Sequence, residues 1–212
     1  MPDKRIAQGE ATRRQLVEVA THLFAEQGYE DTSTEQVLRE AGVSRGSLYH
    51  HFDGKDRLFE AVVEHVEEGV VKRLMAIDLR HRDPVKVLRL GCAEWIALVE
   101  DPAVRQIVVT DAPAVLGWQR WREIDERYGF GLLKGAVQMV ADAGRLAIDD
   151  VDVVAQVLLG ALNEAAMLVA RPETTPRTRR HAAKAVDRII DGFLRSSCTA
   201  AGPIIRTWAT SS

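Results

Sequence analysis

Residues 34–51 read TEQVLREAGVSRGSLYHH, and this stretch decides the fold. Ser33-Thr34-Glu35-Gln36 has capping-box spacing, a hydroxyl followed three residues later by Gln, which satisfies free N–H groups of a first helical turn. A short helix is therefore predicted from about Thr34 to Ala41, stopped by Gly42. Ser44 then caps a second helix through His51. Two short helices joined by a Gly-containing turn are a helix-turn-helix. Leu48 and Phe52 share one face of the second helix and must point into a core. The opposite face carries Gly46, Ser47, His50 and His51, with Arg45 and Tyr49 at its margins, and no acid occurs from Gly42 to Phe52. Such a face offers an arginine, hydroxyls and imidazoles to a DNA groove, with a glycine allowing close approach.

Outward from this unit the chain keeps a helical period. Leu16, Ala20, Leu23 and Phe24 share a face within 9–27, and Gly28 follows where a C-terminal glycine belongs. Asp53 and Asp56 open a longer helix carrying Leu58, Val62, His65, Val66 and Val70 to about Leu79. Asp83-Pro84 and Asp101-Pro102 mark further starts, because Pro is tolerated in a first turn. Pro113 is expected to interrupt, with a long helix following through about Ala143. Asp149 or Asp150 opens the apolar helix 152–170, which Arg171-Pro172 ends. Pro176 begins a last helix with Ala182, Val186, Ile189, Ile190 and Phe193 on one side. No strand-like alternation and no repeat of fixed period are read, so the expected fold is all-α with about nine helices. Residues 196–212 are small and polar around Ile204, Ile205 and Trp208, and read as a flexible tail.

Composition narrows the function. The chain has 212 residues, 28 basic and 31 acidic side chains and a net charge of −3, so it is no polycation. Residues 1–60 alone hold 8 basic and 11 acidic groups, again −3. Contact with nucleic acid must come from a local patch. Lys4, Arg5, Arg13 and Arg14 outnumber Glu10 within 4–14, and Lys55 and Arg57 flank the second helix. These are natural phosphate contacts, as is Thr34 at a helix N-terminus. Cys92 and Cys198 form no disulfide framework, which fits a reducing cytoplasm. No secretory signal is read in residues 1–10, and the most apolar stretch, between Asp152 and Glu164, is shorter than the roughly 20 residues of a membrane span. A soluble cytoplasmic protein without a membrane partner is expected. Catalysis is not: Gly42-Val43-Ser44-Arg45-Gly46 fits G-x-S-x-G, but that elbow needs a preceding strand and a sheet. Nor do His50 and His51 form a metal site, since adjacent helical residues diverge by about 100°. No cofactor is implied.

Residues 9–60 resemble the DNA-binding domain of TetR-family transcriptional regulators. The resemblance is carried by Leu23-Phe24-Ala25-Glu26-Gln27-Gly28-Tyr29, Thr32-Ser33-Thr34, Ala41 through Phe52, and Lys55-Asp56-Arg57-Leu58. It implies a three-helix reading domain over 1–57, an effector-binding and dimerisation domain over 58–195, and the tail 196–212. It also implies that Thr34, Ser44, Arg45, Gly46, Ser47, Tyr49, His50, His51 and Lys55 occupy DNA-contacting positions, around a core of Leu23, Phe24, Val37, Leu48 and Phe52. The His50-His51 pair replaces the aromatic-His pair frequent in the family, so base preference does not carry over. The implied partners are double-stranded DNA, a second copy of the chain and a small-molecule effector, with a repressor released from a palindromic operator as the implied mechanism. A helix-turn-helix scaffold that binds a protein partner is the alternative, supported by the flat charge of residues 1–60.

The larger half is less legible. Asp111-Ala112-Pro113-Ala114-Val115-Leu116-Gly117-Trp118 and Trp121-Arg122 look like one recurrent subgroup of such domains. Trp95, Leu98, Trp118, Trp121 and Tyr128 concentrate apolar and aromatic mass that either lines a ligand pocket or fills the core. Asn163 and Glu164 stand out in the apolar helix 152–170. Glu164 meets an effector, pairs with Arg179, Arg180 or Arg188, or lies on a wet edge. Gly160, Ala161, Ala165 and Ala166 permit close helix approach. With the apolar stripe of 177–194 they suggest a four-helix dimer interface.

Overall fold

The reading unit comes first in the chain and is built as its caps dictate. The structure, a computed structural model, describes residues 3–77 and 83–195, with side chains from Ile6 onward in the first helix. The expectations for the tail 196–212, for Cys198, for the helix end near Leu79 and for the Lys4 and Arg5 side chains lie outside the described residues. Helix α1 spans Asp3–Asp31, α2 Thr34–Ala41, α3 Arg45–His51 and α4 Lys55–Met75. The Ser33 hydroxyl accepts from Gln36 N–H and the Ser44 hydroxyl from Ser47 N–H, at 3.1 and 3.2 Å. Gln36 does not complete the box; its amide reaches Glu40 instead, at 3.5 Å. Gly42 closes α2 at φ 63°, a left-handed conformation in which any Cβ is strained. Leu16, Leu23, Phe24, Val37, Leu48 and Phe52 are buried between the first three helices and α4.

Gly28 does more than end a helix. At φ 80° it kinks α1, which resumes through Asp31. The kink turns Tyr29 N–H onto the Asp111 carboxylate at 2.8 Å, tying the first helix to the middle of the chain. The longer helix starts at Lys55 rather than at Asp53: Gly54, at φ 97°, takes the N-cap position and no side chain caps it.

Five helices form the larger part. Helix α5 spans Pro84–Leu98, with the Asp83 carboxylate accepting from Val85 N–H at 3.0 Å. Helix α6 opens as a π-helical run, Val104–Asp111, and closes as α-helix, Ala112–Val115. Pro113 does not interrupt it: in the π register Ala112 N–H meets Ile107 O, and the Val108 carbonyl that a residue-113 N–H would meet accepts from the Trp121 indole instead. The break falls at Gly117. Helix α7 then runs Trp118–Asp125, a π turn Glu126–Phe130, and Gly131–Asp142. Helix α8 is Val151–Ala170, capped by Asp150, and α9 is Pro176–Phe193, capped by Thr175. The described residues thus form nine helices and no strand; one antiparallel bridge joins Leu146 to Leu194. Helix α8 is long and apolar enough to cross a membrane, but Val154, Ala155, Leu158, Leu162 and Ala166 pack into the common core.

Helix α4 belongs to both parts. Its Phe59 meets Phe24 edge-on at 5.1 Å and Tyr29 at 4.9 Å. The anticipated boundary at 57/58 falls within its first turn.

Candidate functional site

Helix α3 presents a surface without an ion pair among the described residues, although the Glu35 carboxylate of α2 lies near enough to act on Arg45. Leu48 and Phe52 are buried, while Ser44, Arg45, Gly46 and His50 are exposed and Ser47 is half-buried. Tyr49 is 49% exposed, so it is not a core residue, and the Arg45 guanidinium lies 5.6 Å from its ring centre. Near Gly46 only the Ser44 hydroxyl comes within 4 Å of where a Cβ would stand, so the backbone is open to a close neighbour. Thr34 stands at the start of α2 with its hydroxyl donating to Glu35 at 3.1 Å. A hydrogen bond from its own backbone N–H, and then the one from Thr34, hold the Glu35 carboxyl below its ordinary range.

His51 and Lys55 depart from that outward set. His51 is half-buried near Gly9 and Arg13 of α1, and its ring meets His50 at 5.0 Å. Burial, then the neighbouring His50 and Arg13, lowers its pKa. Lys55 stands 4.0 Å above the Tyr29 ring, whose hydroxyl donates to Asp56. Burial and that hydrogen bond raise the Tyr29 pKa. Tyr29 thus anchors the start of α4, a role that its place beside a turn glycine did not announce.

A cavity of about 400 Å³ lies within the larger part, walled by α4, α5, α7 and α8. Of the residues singled out by sequence, Trp95 and Asn163 line it. Leu98, Trp118, Trp121, Tyr128 and Glu164 do not, for separate reasons. Leu98 is buried elsewhere in the core. Trp121 is buried too, its indole N–H donating to the Val108 carbonyl, in the π run, at 3.1 Å. Trp118 is 55% exposed and leans on Trp121. Tyr128 faces Glu64 and Glu68, which after burial raise its pKa. Glu164 is exposed on α8, and among the described residues no basic group pairs with it; Arg179 holds Glu100 and Arg188 holds Asp191.

The polar wall of the cavity comes instead from two acids that the sequence reading passed over. Asp125 is buried and accepts a hydrogen bond from the Asn163 amide at 2.8 Å. Burial raises its pKa despite that bond. Glu67 is 3% exposed, and burial followed by the charge of Asp125 pushes its pKa up to about 8. A signal existed: Glu67 follows Val63 by four residues and Phe59 by eight, so it occupies the apolar stripe of α4. Asp125 likewise lies one turn after buried Trp121.

Between cavity and reading unit runs a set of ion pairs. Glu60 of α4 accepts from Arg120 Nε and from Arg57, both at 2.7 Å. Burial works to raise the Glu60 pKa, but the two arginines outweigh it and hold it low. Arg127 reaches Glu64 of α4 at 2.7 Å.

Two family descriptions match the chain. "Bacterial regulatory proteins, tetR family" covers residues 16–62, and "Tetracyclin repressor-like, C-terminal domain" covers residues 85–193, over half of the sequence. The chain belongs to the TetR family of transcriptional regulators. A solved TetR-family regulator from Pectobacterium atrosepticum is 30% identical with a TM-score of 0.78, covering 89% of this chain and 96% of its own. RolR in complex with resorcinol superposes with a TM-score of 0.70 at 20% identity, over 87% of this chain and 89% of its own. The HTH-type transcriptional regulator SrpR of Pseudomonas putida is 40% identical over 63 residues, 30% of each protein. In this and the next two curated relatives the chain covers only 30 to 47% of their length. It is a transcriptional regulator by family, and the two family descriptions fall on its two parts in turn.

Proposed function

We propose that the protein is a homodimeric repressor, released from a palindromic operator when a small molecule enters the cavity between α4, α5, α7 and α8. One observation carries this reading: the acid-free face of α3 and the acid-lined cavity are joined by a single helix, α4, from Lys55 at the reading unit to Glu67 in the cavity wall. Thr34, Ser44, Arg45, Gly46, Ser47, Tyr49, His50 and Lys55 contact DNA, with His51 reaching it from the edge. A two-turn reading helix addresses few base pairs, so two copies on one face of the duplex are needed for useful affinity.

The second copy docks on α8 and α9. Val153, Val157 and Leu168 are 51, 53 and 37% exposed and fall on one stripe of α8 with Gly160 and Glu164, while Ile189 of α9 is 37% exposed. An effector that binds better to a dimer with misplaced reading heads lowers DNA affinity by the ratio of its affinities for the two states. RolR, seen with resorcinol, supports a small molecule as the effector class.

The test is fluorescence-anisotropy binding to the DNA beside the protein's own gene and to a randomised pool, titrated with salt, with Arg45→Ala alongside. A DNA reader binds a preferred palindromic site, weakens steeply with log[salt] and collapses in the variant. Failure to select any site from the pool overturns the reading and leaves the protein-partner alternative.

A further inference from the structure

Glu67 lines the cavity without a hydrogen bond or ion pair among the described residues, although it is only 3% exposed. Apart from Glu67, Asp125, Asn163 and the Cys92 thiol, the wall is aliphatic and methionine side chains, Trp95 and glycine backbone, and among the described residues no lysine, arginine or histidine lines it. Asp125 has its partner in Asn163. A buried acid with none weakens the fold, and Gln or Leu would fill the same space without that cost. Among the described residues, nothing in the wall offsets a charge on Glu67. Trp95 adds a ring face on which a positive charge is favoured.

We propose that this cavity takes a lipophilic monocation, an arylalkyl amine or quaternary ammonium, whose nitrogen pairs with Glu67 while its hydrocarbon lies against Val70, Leu88, Trp95 and Leu162. An anionic ligand would face two acids and, among the described residues, no cation. A neutral ligand would leave the Glu67 site as it is.

The empty cavity stays uncharged at Glu67 by holding a proton, since its pKa stands at about 8. Capture of an ammonium expels that proton to solvent: the carboxyl O–H breaks, and the carboxylate left behind pairs with the ligand nitrogen. The groups facing Glu67 set the pH range. Asp125 comes from α7 and Cys92 from α5, with the Cys92 thiol pushed up to about 12 by burial and so silent. Helix α8 supplies only the neutral Asn163 among the polar lining groups, and Tyr128 of α7 faces Glu64 and Glu68 instead. Among the described residues of α1 and α6 no charge bears on Glu67. Amine affinity then rises about tenfold per pH unit below about pH 8 and levels off above it.

Isothermal titration calorimetry on the full chain tests this with 4-phenylbutylamine, 4-phenylbutanol and 4-phenylbutyrate, at pH 7 in two buffers of different ionisation enthalpy. The amine is expected to bind about tenfold or more tighter than the alcohol, the carboxylate weakest, with close to one proton released per amine. Glu67→Gln should reduce the amine to the level of the alcohol and abolish the proton release. Absence of binding by all three, alcohol or carboxylate equal to the amine, no proton release, or full amine affinity in Glu67→Gln each overturns the assignment. If Glu67→Gln fails to fold, a wild-type amine affinity that is flat from pH 6 to 8 overturns it equally. The ligand class rests on the effector reading only for DNA release, which anisotropy reads separately: amine binding without release keeps the ligand class and removes the effector role.

Discussion

On α3, Arg45, Ser47 and His50 stand at the surface with water as their main partner, over a fully buried Leu48. In the cavity, Glu67 and Asp125 are buried against hydrocarbon, and only Asp125 has a hydrogen bond among the described residues. Both surfaces leave polar groups unsatisfied, but at different cost. Exposed groups lose little by waiting for a phosphate, because water solvates them until it arrives. Buried acids lose several kcal/mol of solvation (roughly, for an isolated charge) and escape that loss by binding a proton. A reading face can therefore stay charged and open, whereas a pocket must exchange one charge carrier for another.

The hardest way to break this comparison is to remove the support under the reading face. Leu48→Ala should cost roughly 2–5 kcal/mol and unfold the first three helices before the rest, seen as a new low-temperature transition in calorimetry. Arg45→Ala isolates the face itself: DNA affinity should fall about ten- to a hundredfold while the melting temperature stays put, because the side chain is exposed. A drop in melting temperature would mean that Arg45 is structural.

Glu67→Gln tests the other side. With a folded pKa of about 8 against an unfolded value near 4.5, the folded protein takes up a proton between those limits. Stability is therefore lost as pH rises from about 4.5 to 8, and the variant should gain roughly 4 kcal/mol over wild type at pH 8 and almost nothing at pH 4.5. Equal gains at both pH values would show that packing, not charge, is responsible. Arg120→Ala should cost less than about 1 kcal/mol, since the guanidinium is over a third exposed. Its sharper readout is effector-driven DNA release, which should weaken if the Arg120–Glu60 pair couples the two parts. The smallest effect is expected of His51: its lowered pKa places any gain in DNA affinity below pH 6.5, and His51→Ala should flatten that rise.

How much could be read in advance follows the same division. Ser44, Gly42 and Leu48 act on neighbours within a few residues, so cap, turn and core face were legible from spacing alone. Gly28 was readable as a stop, but not as the kink that sends Tyr29 to Asp111, 82 residues away. Pro113 misled because the carbonyl its missing N–H leaves free in the π register, that of Val108, finds a donor 13 residues on in Trp121. Trp95 lines the cavity, but Trp118 and Trp121 do not, because aromatic mass does not say which side of a helix faces a void: Trp121 spends its indole N–H on the Val108 carbonyl. Glu67 was written into the apolar stripe of α4, yet an acid among valines reads as an exposed neighbour until helices α5, α7 and α8 close over it.

Helix α4 has a mechanical consequence. Its 21 residues form one unbroken rod about 30 Å long, with Glu67 about 18 Å from Lys55. Rotated about the cavity as a fulcrum, the rod carries the reading head by about 1.5 Å for a tilt of about 5°. Two heads moving in opposite senses change their separation by about 3 Å, the length of a hydrogen bond, against a half-site spacing of about 34 Å. On the proposed dimeric reading, a ligand no larger than the 400 Å³ cavity has enough leverage to put one head out of step with its groove while every helix stays intact.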